Sequence, residues 1–224
     1  MKSSYSLESS LSENELALVR TLAIPAKIQS FLDATSYSSD HFYRCPLRVL
    51  RDRKAHCFDG AVFAAAMLRR IGHPPLILEL LPNARDDDHL LAVFQVDGFW
   101  GAVAQSNFSG LRYREPVYRT LRELVMSYFE QFYNILHEKT LRGYGWPMNL
   151  SKYDLLGWEI NDAPLDRIAD DLDSQRHFAL LTSQQEANLS LLDERSAKAG
   201  LNGSIDAGLW KPHGDTGLGK PGKQ

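Results

Sequence analysis

One stretch of the sequence limits the fold more than any other. It is CFDGAVFAAAMLRRIG, residues 57–72, which is apolar on nearly every face when it is drawn as a helix. A helix without a polar face is buried on all sides. Arg69 and Arg70 fall in its last turn, where cations suit the negative end of the dipole, and Gly72, followed by two prolines, marks its end. The sequence therefore predicts a buried central helix, and its small alanines allow a sheet to pack closely against it.

Three strand-like runs follow this helix, at residues 76–81, 89–96 and 99–106. The last two are joined by Asp97-Gly98, a dipeptide typical of two-residue hairpin turns. We therefore predict an antiparallel meander. Together with the central helix it gives an α+β fold, in which that helix packs on one face of an antiparallel sheet.

Further helices are predicted on both sides of this core. Ser12 and Glu15 have the spacing of a capping box for a helix over residues 13–22. Proline then opens a second helix over residues 26–34, and apolar residues at helical spacing predict a third over residues 121–134.

The chain divides into three predicted parts. These are an N-terminal extension with a short helix (residues 1–24), a main domain (residues 25–175) and a C-terminal helical or loose extension (residues 176–224). From about Gly200 the sequence becomes glycine-rich, and Trp210 is the residue that we expect to dock this tail on the body.

Composition excludes several classes of protein. The chain has 224 residues, 44% hydrophobic residues and a formal net charge of −3, so we expect no nucleic-acid partner. Its start lacks a long apolar run and no segment approaches a membrane span, so we expect no membrane partner and a cytoplasmic location. Two cysteines make no disulfide framework, and neither the cysteines nor the histidines have metal-ligand spacing, so we expect no metal and no cofactor. The sequence leaves the oligomeric state open.

Cys57, at the start of the central helix, is the candidate nucleophile. A helix N-terminus lowers the pKa of a thiol, and a thiolate is the reactive form. The competing interpretation is a buried thiol, because free cysteine is among the most buried residue types. Cys45 is interpreted as structural because we predict no helix start beside it.

A cysteine nucleophile needs a base, and His89 is the candidate. His56 is adjacent in sequence, but we expect its side chain to point elsewhere. If Asp97 and Gly98 are the two turn residues, His89 lies opposite Ser106 and on the same face as Leu91. A Cys57–His89 pair then forms if this face packs on the central helix.

The segments RKAHCFDGAVFAAAMLRRIG and DHLLAVFQVDGFWGAVAQS together resemble the core of the transglutaminase-like superfamily, which has a papain-like cysteine-nucleophile fold. The resemblance covers roughly residues 47–108. It implies that Cys57 is the nucleophile and His89 the base, and it places Gly72 and Trp100 at positions typical of the family.

One position departs from the family pattern. The resemblance implies a catalytic aspartate at the end of the next strand, and Ala104 stands there. Ser106 and Asn107 are the candidate orienting residues for the imidazole, and residues 86–88, three consecutive aspartates, are a further source of charge.

Two functions follow. The first is cysteine-dependent acyl transfer or hydrolysis at an amide or ester bond of a peptide, protein or small molecule. It proceeds through a thioester, and the backbone N–H of Cys57 contributes to the oxyanion hole. The alternative is a catalytically degraded domain that binds a peptide or protein in the same groove. A plain structural domain is disfavoured by the hairpin match.

Overall fold

The computed structural model describes residues 7–211 of the chain. The helices are α1 (Glu13–Thr21), α2 (Pro25–Asp33), α3 (Pro46–Asp52), α4 (Cys57–Arg70), α5 (Leu121–Met126), α6 (Leu165–Asp173), α7 (Ser183–Ala187) and α8 (Glu194–Gly200). The strands are β1 (Ser36–Tyr37), β2 (Lys54–Ala55), β3 (Leu76–Pro82), β4 (His89–Val96), β5 (Phe99–Val103), β6 (Arg114–Tyr118), β7 (Leu141–Gly145), β8 (Met148–Asn149) and β9 (His177–Ala179).

Antiparallel pairing builds the main sheet. Its strand order is β6-β5-β4-β3-β7-β9, and β8 pairs with β3 beside β7. A separate parallel pair, β1 with β2, joins the chain before α3 to the chain before α4. The predicted combination of helices with an antiparallel sheet is confirmed. The strand β9 lies after residue 175, so the segment assigned to the C-terminal extension contributes to the sheet.

The hairpin between β4 and β5 has the predicted register. Val96 pairs with Phe99, and the ladder continues to Ala92 and Val103. Asp97 and Gly98 both have positive φ, 50° and 83°, as a two-residue turn of the I′ type requires. The strand ends at Val103, however, three residues earlier than predicted.

The central helix α4 is buried as predicted. It begins at Cys57, and Gly72 adopts a φ of 97° beyond its end. The amide of His73 donates to the carbonyl of Leu68 at 3.0 Å, which closes the helix with a Schellman-type bond.

Both faces of the sheet are covered, whereas the sequence analysis expected a helix on one face. Leu90 and Phe94 of β4 pack with α4 in the larger core cluster. Leu91 and Val93, which point the other way, pack with α5 and Tyr128 in a second cluster. Both clusters are apolar, so β4 is buried on its two sides.

The helix predicted over residues 121–134 is wrong in length. The helix α5 ends at Met126, and a 3₁₀ turn, Phe129–Gln131, follows. The Asn134 side-chain oxygen accepts from the amides of Leu136 and Glu138, at 3.0 and 3.1 Å, and this holds a tight turn that competes with the helix. The apolar positions of the predicted helix are nevertheless buried, among them Tyr128 and Phe132.

The other predicted helices agree more closely with the structure. Ser12 and Glu15 form the capping box of α1, and proline opens α2. Within residues 7–211 no helix is long and apolar enough to cross a membrane.

Candidate functional site

The N-terminus of α4 is held in place by a buried carboxylate. Asp59 accepts hydrogen bonds from the backbone N–H groups of Arg44 (2.8 Å) and His56 (3.0 Å). Burial raises the pKa of Asp59 to about 6, although these two donors act in the opposite direction. The loop before α3 and the first turn of α4 are thereby tied together, which fixes where Cys57 lies.

The histidine in contact with the thiol of Cys57 is His56. Its Nδ1 atom lies 3.3 Å from the Sγ atom of Cys57. The expectation that His56 points elsewhere is therefore wrong. His56 is the N-cap residue of α4 with an extended backbone, and this conformation allows its ring to fold back over the helix start.

Cys57 is buried in surroundings that favour the neutral thiol. It is 3% exposed. Burial raises its pKa well above the ordinary value, and the charges of Asp88, Asp87 and Asp59 raise it further, while the backbone N–H of Leu90 acts in the opposite direction. Burial also lowers the pKa of His56. At neutral pH the pair is thus a neutral thiol beside a neutral imidazole.

His89 lies on the other side of the sheet. It is the first residue of β4, and its side chain alternates with that of Leu90, which packs with α4. The expectation that the His89 face packs on α4 is therefore wrong. The catalytic role of His89 stays a prediction that this geometry does not favour.

The surroundings of His89 explain why it is buried. Its Nε2 atom lies 2.8 Å from the carbonyl oxygen of Leu111. A carbonyl only accepts, so Nε2 carries the proton and donates it. Burial lowers the pKa of His89 to about 4, which leaves the ring neutral at pH 7.

The candidate orienting residues bind backbone groups. Ser106 accepts from the amide of Phe108 at 3.1 Å. The side-chain amide of Asn107 donates to the carbonyl of Ile205 and accepts from its N–H, both at 2.8 Å. Neither contact orients a histidine.

Gln105, two residues after the end of β5, packs against α4. Ala104 packs in the second cluster, on the side of His89. Gln105 packs on Gly60 in the first turn of α4, so closely that a Cβ added at Gly60 would lie 2.2 Å from the Cβ of Gln105. His56 is therefore the histidine in contact with Cys57, whereas the sequence predicted His89 there, and Gln105 packs on the same helix one turn further along.

Three carboxylates meet near this site, and sequence spacing gave no sign of it. Oxygen atoms of Glu79, Asp88 and Asp173 lie within 4.8 Å of one another. Burial raises the pKa of Asp88 well above its ordinary value, and the neighbouring charges of Asp87 and Glu79 add to this. Both effects favour the protonated form of Asp88.

Cys45 has a structural place, but the reason differs from the predicted one. It is the N-cap residue of α3, so a helix does start beside it. Its N–H donates to Asp162 at 2.8 Å, and burial raises the pKa of its thiol to about 12.

Tyr37 lies beside His56. The pairing of Tyr37 with Ala55 in the β1–β2 sheet brings it beside the start of α4, and its ring lies 5.6 Å from that of His56. Next to Tyr37 is a cavity of about 240 Å³, bordered by residues 33–37, Gln105, Asn107 and the C-terminal segment.

Comparisons with known proteins leave the family open. No family model matches the chain, and no curated protein matches it. A solved structure of Legionella pneumophila LapG is similar over 43% of this chain and 67% of its own, with 16% identity and a TM-score of 0.32. The EGTA-treated Legionella pneumophila LapG is similar over 72% of this chain and 94% of its own, with 14% identity and a TM-score of 0.39. Scores of this size establish neither a family nor an activity.

Proposed function

We propose that this protein is a cysteine-dependent hydrolase or acyltransferase of the transglutaminase-like type, with Cys57 as nucleophile and His56 as base. The observation that carries the proposal is the 3.3 Å contact between the Sγ of Cys57 and the Nδ1 of His56 at the start of a buried helix. This is the reach that general-base activation of a thiol needs.

The reaction follows from the protonation states. Nδ1 of neutral His56 takes the thiol proton as sulfur attacks the carbonyl carbon of an amide or ester, and the oxyanion that forms lies near the N–H of Cys57. Collapse of the tetrahedral intermediate breaks the bond to the leaving amine or alcohol, which takes the proton back from Nδ1. The resulting thioester is opened by water or an amine, again with His56 as base.

Asp87 takes the electrostatic part that the family assigns to an aspartate. Its charge raises the pKa of His56 against the effect of burial, and Asp88 adds to this effect only when it is ionised, which its own burial disfavours. Asp87 therefore stabilises the imidazolium that forms during the attack. A resting thiolate is not part of this mechanism, because the same charges and burial disfavour it.

The test is acylation by 4-nitrophenyl acetate. The reaction is monitored through the release of nitrophenol, and mass spectrometry of the peptide that contains Cys57 identifies the acylated residue. A Cys45→Ser background leaves one thiol. We expect acetylation at Cys57, and we expect His56→Ala to slow it by about 10²-fold or more. The matched control is His89→Gln, whose amide nitrogen can still donate to Leu111; it leaves the rate nearly unchanged.

A second candidate function has its own observation. Cys57 is 3% exposed and its pKa is raised, as in a core thiol. A peptide- or protein-binding domain without catalysis fits these facts. Acetylation no faster than that of free cysteine, or equal rates in wild type and His56→Ala, would favour this second function.

A further inference from the structure

The C-terminal segment, residues 203–209, lies beside Tyr37 and Asn107. Its residue Ile205 has an extended backbone, with φ −105° and ψ 119°, and a 3₁₀ turn, Asp206–Gly208, follows. Gly203 and Ile205 border the cavity beside Tyr37. The segment thus shares a cavity with Tyr37, whose ring lies 5.6 Å from that of His56.

Asn107 holds this segment through its backbone alone. The amide of Asn107, a residue 5% exposed, donates to the carbonyl of Ile205 and accepts from its N–H, both at 2.8 Å. The side chain of Ile205 is 44% exposed, so it takes little part. A paired donor and acceptor of this kind recognises any extended residue, as the edge of a sheet does.

Tyr37 provides the second contact. A Cβ placed on Gly208 would lie 2.6 Å from the Cδ1 atom of Tyr37 and 3.2 Å from the Nδ2 atom of Asn107. Only glycine allows the backbone this close to the ring. The same ring lies 5.6 Å from that of His56, so the contacts run from Gly208 through Tyr37 and His56 to Cys57.

We propose that Asn107 and Tyr37 form a docking site for a peptide with one extended residue followed by a turn that carries a glycine three residues after it, and that residues 203–209 occupy this site in cis. The segment then competes with a peptide substrate and keeps Tyr37 beside His56. The substrate class assigned in this way rests on the proposed function, whereas the docking itself needs no chemistry at Cys57.

Peptide binding in trans tests the proposal on the full chain. The probe is a fluorescein-labelled synthetic peptide of residues 201–211, LNGSIDAGLWK. Its binding is measured by fluorescence anisotropy. Gly208→Val drives the segment off Tyr37 and leaves Asn107 intact, so we expect it to bind the probe at least tenfold more tightly than wild type. Ala207→Val, at an exposed neighbour, is the matched control and should resemble wild type.

Two further variants make the outcome decisive. Adding Asn107→Ala to Gly208→Val should abolish binding of the probe. A probe with valine in place of the glycine that corresponds to Gly208 should bind neither wild type nor Gly208→Val. Amide exchange of residues 203–209 shows whether the segment is released. We expect faster exchange in Gly208→Val and also in Asn107→Ala, which releases the segment in a second way.

The proposal is overturned if exchange shows the segment released but no variant binds the probe. It is also overturned if neither substitution raises exchange, because the segment is then a fixed part of the fold. All binding is repeated in a Cys57→Ser background. Binding without acetylation of Cys57 in the wild-type chain would leave the docking site standing and remove the enzymatic function.

Discussion

The contact between Gly60 and Gln105 sets the distance between α4 and the end of β5, and a single methyl group tests it. In Gly60→Ala the new Cβ would lie 2.2 Å from the Cβ of Gln105 and 3.3 Å from the Gln105 backbone nitrogen. Carbon atoms in contact are about 3.5–4.0 Å apart, so helix and strand must separate by more than 1 Å. Neither obstructing atom belongs to the flexible end of a side chain.

The expected magnitude follows from two opposing effects. Alanine stabilises a helix interior by about 1 kcal/mol relative to glycine. Overpacking of a core costs about 1–3 kcal/mol, and a Cβ–Cβ overlap lies at the upper end of this range. We therefore expect Gly60→Ala to lower the free energy of unfolding by about 2 kcal/mol, which corresponds to a fall in Tm of about 4–8 °C for a chain of this size.

Urea unfolding monitored by tryptophan fluorescence measures this change. The matched control is Gly145→Ala, where the nearest atom, the Cβ of Glu79, lies at an ordinary 3.7 Å. This control should be neutral or slightly stabilising. Gln105→Gly removes the obstructing Cβ, so the double variant should recover about 1–2 kcal/mol in a double-mutant cycle. A Gly60→Ala protein as stable as wild type would refute the close approach of α4 to the strand end.

Two further predictions concern His89 and the β4–β5 turn. Since burial lowers the pKa of His89 from 6.5 to about 4, the unfolded chain binds a proton between these values that the folded chain does not. The free energy of unfolding therefore falls by up to about 3 kcal/mol from this residue as the pH drops from 6.5 to 4. Asp59 and Asp86, whose pKa values are raised to about 6, change the free energy of unfolding in the opposite direction over this pH range. The contribution of His89 is therefore measured as the difference in the pH dependence of unfolding between wild type and His89→Gln. An identical pH slope in both proteins would contradict the burial of a neutral ring. Gly98→Ala, at a φ of 83°, should lose about 1–2 kcal/mol in the same urea assay, and an unchanged midpoint would argue against the I′ turn.

Local signals in the sequence are sufficient to predict the start of α1, the end of α4 and the turn between β4 and β5. The capping box of α1, the end of α4 at Gly72 and the two-residue turn at Asp97-Gly98 each depend on residues a few positions apart. Such signals act through local backbone geometry, so they can be read without knowledge of the fold. The overestimated helix after Leu121 shows the limit, because the turn held by Asn134 involves a side chain that sequence periodicity does not weigh.

The face of β4 that meets α4 could not be read in this way. Alternation assigns His89 and Leu91 to one face and Leu90 to the other, but all three are buried. A strand buried on both sides has no polar face to mark the solvent side. Which face packs on α4 depends on the arrangement of helices over the whole sheet. One residue of offset moves the side chain of His89 from the side of Cys57 to the opposite core.

The same offset changes what chemistry the site is suited to. A histidine on the strand would approach Cys57 across the sheet–helix interface, with an orienting residue at the end of the next strand. In the observed arrangement the imidazole comes from the residue before the cysteine, and the carboxylates that influence it, Asp87 and Asp88, come from the loop before β4. Burial disfavours the imidazolium and the thiolate alike, so charge separation is costly until a polar substrate enters. The reactivity of Cys57 should therefore depend on displacement of the Tyr37 ring from its position beside His56. Amide exchange first establishes that residues 203–209 are released in Gly208→Val. If Cys57 is then acetylated at the same rate in Gly208→Val and in wild type, this coupling is contradicted.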